Sequence, residues 1–127
     1  MKAFLLKKIR EEGRVVENVN VIFCTDQYLL DINRDYLNHD NLTDIITFEI
    51  SSPLSPIVSD IYISIDRVTE NAATFKVSFD EELLRVLFHG VLHLCGYNDK
   101  SKVEIATMRN MEQSWLNKYF VSLESSV

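Results

Sequence analysis

Phe88-His89-Gly90-Val91-Leu92-His93-Leu94-Cys95-Gly96-Tyr97-Asn98-Asp99 is the stretch on which the reading of this chain turns. It closes a helical segment that opens at Ser78-Phe79-Asp80-Glu81, where a serine followed three residues later by glutamate makes a capping-box pattern. Gly96 ends the segment, because glycine accepts the left-handed backbone that terminates helices. Between these limits stand Leu83, Leu84, Val86, Leu87, Phe88, Val91, Leu92, Leu94 and Cys95. A helix over 79–95 is therefore apolar on nearly every side, the mark of a buried helix. Its polar residues Glu82, Arg85, His89 and His93 follow at steps of three, four and four, which aligns them as one stripe.

The imidazoles of His89 and His93 stand on a single face, with Cβ atoms roughly 6 Å apart. That spacing lets both rings reach one metal ion from a rigid support. It also fits two histidines hydrogen-bonded inside a core, and a bare pair does not separate the two cases. A catalytic zinc site commonly has three protein ligands and an open position for water, so a third ligand has to come from elsewhere. Asp99, just past the turn at Gly96, is close enough in sequence to fold back. Cys95 points away round the helix from His93 and reads, like Cys24, as a buried thiol.

More than the bare pair is present. The stretch from His89 to Asp99 resembles the signature of the YbeY family, bacterial metal-dependent endoribonucleases implicated in ribosomal RNA maturation. That signature runs His-Gly-x-Leu-His-Leu-x-Gly-Tyr-Asp-His, and its histidines bind zinc. The resemblance carries His89 and His93 over directly as ligands, whereas Asp99 stands at the third histidine position and Asn98 at the preceding Asp. A carboxylate is an acceptable zinc ligand, so the implied set is two His and one Asp holding one Zn2+ per chain. Exchanging histidine for a carboxylate lowers the charge of the site and should leave bound water a weaker acid.

A second resemblance runs from Ile32 to Phe48, where Asn33, Tyr36, Asp40, Thr43, Asp44 and Phe48 match the family pattern. Leu42 replaces its usual proline, and Leu37 replaces an arginine thought to hold the RNA phosphate in relatives. Leucine cannot donate a hydrogen bond, so that role has to move or be lost. Arg34, Arg85 and Lys100 are the candidates for substrate binding. His39, in a loop rich in Asn and Asp, reads as a solvated surface residue. The two motifs place the resemblance over about residues 23–115.

Composition sets the frame. The chain has 127 residues, 46% hydrophobic and 25% charged, as expected of one globular domain spanning 1–127. No apolar run approaches the ~20 residues of a membrane span, and the start lacks a signal-peptide pattern, so no membrane association and a cytoplasmic location are expected. The net charge of −6 weighs against non-specific nucleic-acid binding, and no DNA partner is expected. Lys2, Lys7, Lys8, Arg10 and Arg14 crowd the start, but Glu11 and Glu12 interrupt them and the cluster reads as a solvated helix face.

Periodicity supplies the remaining elements. A helix over 3–12 turns Phe4, Leu5 and Ile9 inward and stops at Gly13, followed by a strand over 14–24 with Val15, Val19, Val21 and Phe23 on one face. Thr25 or Asp26 caps a helix whose apolar ridges include Leu29, Ile32, Tyr36 and Leu37. Strands follow over 44–51 and 58–65, broken by Ser51-Ser52-Pro53-Leu54-Ser55-Pro56. Asp66 caps a short helix ending at Phe75. The capping box Ser101-Lys102-Val103-Glu104 opens a last helix, with Met108 and Met111 as core filler and fraying from Ser122. Members of the family it resembles usually begin with a strand before the first helix, so by that resemblance a sheet one strand shorter is expected here. The expected fold is α+β: a small mixed sheet of three to four strands packed by helices, with the buried ligand-bearing helix central.

By resemblance, the implied activity is zinc-dependent hydrolysis of single-stranded RNA in ribosome biogenesis, including late 16S rRNA processing, possible on the ribosome itself. Catalysis falls to a metal-bound water, with no side-chain base assigned. Gly90 stands where a His-Glu-x-x-His motif would carry its glutamate, which counts against peptide hydrolysis; it should instead let another element approach closely. The alternatives are a non-catalytic, metal-stabilised ribosome-assembly binding protein, which the acidic charge, Leu37 and Asp99 favour, and a metalloprotease-like hydrolase with a base from another segment.

Overall fold

The computed structural model describes residues 1–39 and 41–125; Asp40, one of the matched positions of the second motif, lies outside them. The elements run α1 (Lys2–Glu11), β1 (Val16–Cys24), α2 (Asp26–Leu37), β2 (Ile45–Glu49), β3 (Ile57–Ser64), α3 (Ile65–Phe75), α4 (Phe79–Leu94) and α5 (Lys102–Ser125). The three strands form one open sheet in the order β1-β3-β2. β1 runs parallel to β3 and β2 antiparallel to it, with Ile61 opposite both Val21 and Thr47. The expected α+β class and mixed sheet hold, with three strands among the described residues.

Alternation along β3 explains the layering. Ile57, Ile61 and Ile63 are fully buried on one face against Phe88, Val91 and Leu92 of α4. Each such side chain contributes roughly 1.5–3 kcal/mol on burial. On the other face Tyr62 joins Ile46 and Phe48 of β2 beneath Leu29 and Ile32 of α2. α5 closes over α4 through Met108, Trp115 and Leu116, with Trp115 edge-on to Phe88.

The close approach expected at Gly90 is made by β2. A Cβ built there would lie 2.6 Å from Ile45 Cδ1 and 3.1 Å from Thr47 Oγ1. Of the two capping boxes read from sequence, the serine half of the first and both halves of the second form. Ser78 Oγ accepts from Glu81 N, and Ser101 and Glu104 bond reciprocally, side chain to backbone, at 2.9 and 3.1 Å.

Other expectations require correction. β1 begins at Val16, and Val21 and Phe23 are exposed, because β1 is an edge strand while α4 packs over β2 and β3. Tyr36 and Leu37 end α2 in solvent, where Tyr36 meets the edge of Phe48. The cap of α3 is Ser64, not Asp66: its hydroxyl accepts from Arg67 N and donates to Asp26 Oδ1. β3 therefore passes into α3 with no linker, and Asp66 instead accepts from the backbone N–H of Asp26. α5 continues through Ser125, beyond the expected fraying point at Ser122.

Arg14 is also no solvated charge. Its guanidinium donates to Glu49, to the carbonyl of Leu94 at 2.6 Å, and to the carbonyls of Ser52 and Ser55. It ties the end of α4 to the loop between β2 and β3. Gly13, at φ +86°, supplies the left-handed turn that leads into it.

Candidate metal centre

The buried faces of α4 fix its backbone, and its polar stripe emerges at one end of the sheet. His89 and His93 lie on that stripe with Nε2 atoms 3.0 Å apart. Gly96 then takes φ +102°, and the N–H groups of Gly96 and Tyr97 bond back to the carbonyls of His93 and Leu92. The reversal brings Asp99 over the pair. Its Oδ2 lies 3.2 Å from His89 Nε2 and 3.3 Å from His93 Nε2. The three residues named from sequence thus converge on one point.

A residue missed in the sequence settles the orientation of His89. Glu112, on α5 and only 4% exposed, places Oε2 at 2.6 Å from His89 Nδ1. An ionised carboxylate can only accept, so this bond assigns the proton to Nδ1 and leaves the Nε2 lone pair facing His93 and Asp99. The signal for Glu112 was present, since it interrupts the apolar ridge of Met108, Met111 and Trp115. Arg85 Nη1 lies 3.6 Å from Glu112 Oε1, and its other terminal nitrogen bonds Glu82, which is 1% exposed. The guanidinium also sits over the Phe75 ring, 5.3 Å from its centroid.

Three electron-rich atoms so close repel one another unless a proton or cation lies among them. Their separations match the edges of a tetrahedron, which are about 3.3 Å for zinc bonds near 2.0–2.1 Å. The donor set fits a zinc-like ion. Without an ion, burial works against a charge on His89, but Glu112, with help from Asp99 and Asp44, outweighs it and raises the imidazole pKa.

Two hollows meet at this cluster, and both are lined by Asp44, His89 and Asp99. The one on the α5 side, about 370 Å³, adds Arg85, Ile105, Met108, Arg109 and Glu112. The one on the β2 side, about 380 Å³, adds His93 together with Asn33, Leu37, His39, Asn41, Thr43 and the start of β2. His39 is exposed, as read from sequence, yet it faces this second hollow. Asp44 received no role in the sequence reading. Burial raises its carboxyl pKa, partly offset by His89.

Of the residues considered for substrate binding, Arg85 lines the α5-side hollow but is engaged by Glu82 and Glu112. Arg34 and Lys100 are exposed and line neither hollow. Cys95 packs against the core, with its thiol pushed up to about 11 by burial, and stays outside the ligand cluster. No helix among the described residues is long and apolar enough to cross a membrane.

An Endoribonuclease YbeY from Flavobacterium psychrophilum is 50% identical over 121 residues, covering 95% of this chain and 83% of that protein. One from Porphyromonas gingivalis is 43% identical over 104 residues, covering 82% and 68%. The solution structure of a Thermotoga maritima protein superposes with a TM-score of 0.69 at 28% identity, covering 98% of this chain and 82% of that one. The family profile described as Endoribonuclease YbeY matches residues 2–120, and with these identities the chain belongs to the YbeY endoribonuclease family.

Proposed function

We propose that this protein is a zinc-dependent endoribonuclease that cuts single-stranded RNA during ribosomal RNA maturation, including late 16S processing. It would act in the cytoplasm as a single domain over 1–127. The observation that carries this reading is the convergence of His89 Nε2, His93 Nε2 and Asp99 Oδ2 within 3.3 Å, in a chain of an endoribonuclease family. His89, His93 and Asp99 would hold one ion per chain. When bound, such an ion acidifies water and polarises a phosphoryl oxygen.

The rest of the mechanism belongs to the protein. Glu112 holds His89 in the tautomer whose Nε2 faces the ligand point, and the Glu82–Arg85 pair holds Glu112. Asp44, whose burial raises its carboxyl pKa, lines both hollows beside His89 and is placed to take or give a proton during cleavage.

Elemental analysis of the wild type and Asp99→Ala, run beside cleavage of a single-stranded RNA, tests the reading. About one zinc per chain, lost in the variant together with cleavage, is the expected result. A wild type purified without chelators that carries no metal refutes the enzyme. Metal without RNA cleavage favours a ribosome-assembly binding protein, the role with which the net charge of −6 agrees better.

A further inference from the structure

We infer that Arg109 holds the substrate phosphate, and that RNA crosses the ligand cluster with its phosphodiester on the α5 side and a nucleoside on the β2 side. This rests on the function proposed above and assigns the substrate contacts of that same site.

A phosphodiester needs cationic donors beside the cluster. Leu37 offers none on the β2 side, and Arg85 is already engaged by two buried carboxylates. Arg109 is different. It lines the α5-side hollow together with His89 and Asp99, is exposed, and makes no hydrogen bond or ion pair among the described residues. Its base is fixed, because Met108 and Glu112 on either side of it in α5 are buried. The guanidinium is therefore presented on a rigid helix with its five donors unspent.

Charge fixes the direction. The α5-side hollow carries Asp44, Asp99 and Glu112 against Arg85 and Arg109, a balance that a divalent ion turns positive. The β2-side hollow carries Asp44 and Asp99 with no Lys or Arg, so the same ion brings it only to neutrality. An anion thus settles on the Arg109 side. The neutral lining of the other side, including Leu37, His39, Asn41 and Thr43, suits the face and edges of an unstacked base.

The test is equilibrium binding of a short single-stranded oligouridylate to the zinc-loaded protein across a salt series, in the cold, with intact RNA verified afterwards. Wild type, Arg109→Ala, Arg109→Lys and Arg10→Ala are compared, with zinc content and melting temperature measured for each. Arg10 is exposed on α1 and lines neither hollow. Arg109→Ala is expected to bind about tenfold more weakly, with the slope of log K against log salt reduced by about 0.7. Arg109→Lys should keep the slope and lose part of the affinity, since an ammonium retains the charge but not the fork. Arg10→Ala should match wild type. If wild type binds and cuts RNA while Arg109→Ala keeps its affinity and slope, the assignment of Arg109 is overturned and the nuclease reading stands. A wild type with neither zinc nor RNA affinity overturns both.

Discussion

Replacing Arg85 by methionine should destabilise the protein strongly and in a pH-dependent way. Arg85 stands between Glu82 and Glu112, which are 1% and 4% exposed. Removing one partner of a buried ion pair costs about 3–5 kcal/mol, because the remaining charge has lost both water and its counter-ion. Methionine retains much of the contact with Phe75, so packing adds little; the lost cation–π contact adds about 0.5–1 kcal/mol. Against a typical domain stability of about 5–15 kcal/mol, this is a large fraction. At about 4 °C per kcal/mol for a chain of this size, the melting temperature should fall by roughly 15 °C at pH 7.5. The pH dependence follows from Glu82. Burial raises its folded pKa above the ordinary 4.5, while the hydrogen bond and charge of Arg85 pull it back down. Without Arg85 the folded pKa climbs further. A carboxyl that binds its proton more tightly when folded is destabilising once ionised. That penalty is absent below the unfolded pKa, grows as pH rises between the unfolded and folded values, and is complete above the folded one. The deficit of Arg85→Met should therefore narrow at pH 5, and Glu82→Gln in the same background should recover part of it at pH 7.5. Thermal unfolding of the three proteins at both pH values checks this. A melting temperature within ~3 °C of wild type at pH 7.5 would refute the argument, given the size expected of a broken buried pair. So would a deficit of equal size at the two pH values.

Two further outcomes follow from particular contacts. Glu112→Gln keeps the shape of the side chain but loses the carboxylate that fixes the proton on His89 Nδ1, so zinc affinity, read by competition with a chromogenic chelator, should fall about 10–100-fold; no change would mean that Glu112 does not orient the ring. Gly90→Ala should be tolerated to within about 1 kcal/mol in urea denaturation, because Ile45 Cδ1 can swing aside and the gain in helix propensity, also about 1 kcal/mol, offsets the crowding. Gly90→Leu has no such escape between α4 and β2 and should cost about 3 kcal/mol; equal stability of the two variants would show that the helix and strand do not approach as closely as 2.6 Å implies.

What was legible in the sequence and what was not divide along a physical line. The helix of His89 and His93, its serine cap and the convergence of Asp99 were readable because all of it lies within one helix and its C-terminal turn. Periodicity and capping are local, and they report local geometry faithfully. β1 was misread on its exposed face because alternation records that a strand can be half-buried, without recording whether a helix covers it. Ser64 was overlooked as a cap because β3 passes straight into α3, leaving no loop to announce the boundary.

Charged residues were the harder case. Arg14 resembled its solvated neighbours, and Glu112 was one acid among many, because hydropathy cannot distinguish a charge in water from a charge with a distant partner. Arg14 meets Leu94 across 80 positions, and Glu112 meets His89 across 23. The exception is a charge set inside an apolar ridge, where burial is already implied and an unpaired ion would be severely destabilising. Glu112 between Met108 and Trp115 meets that condition, as Glu82 does on α4, and each has Arg85 within reach. Buried acids placed this way require a cation or a donor at the same depth, so they point toward the polar centre of the fold. Here that centre is the ligand cluster. The carboxylate that interrupts the apolar face of α5 and the two histidines that interrupt the face of α4 belong to one arrangement: His89 supplies the donor that the buried Glu112 requires, and Glu112 in turn orients His89 toward His93 and Asp99.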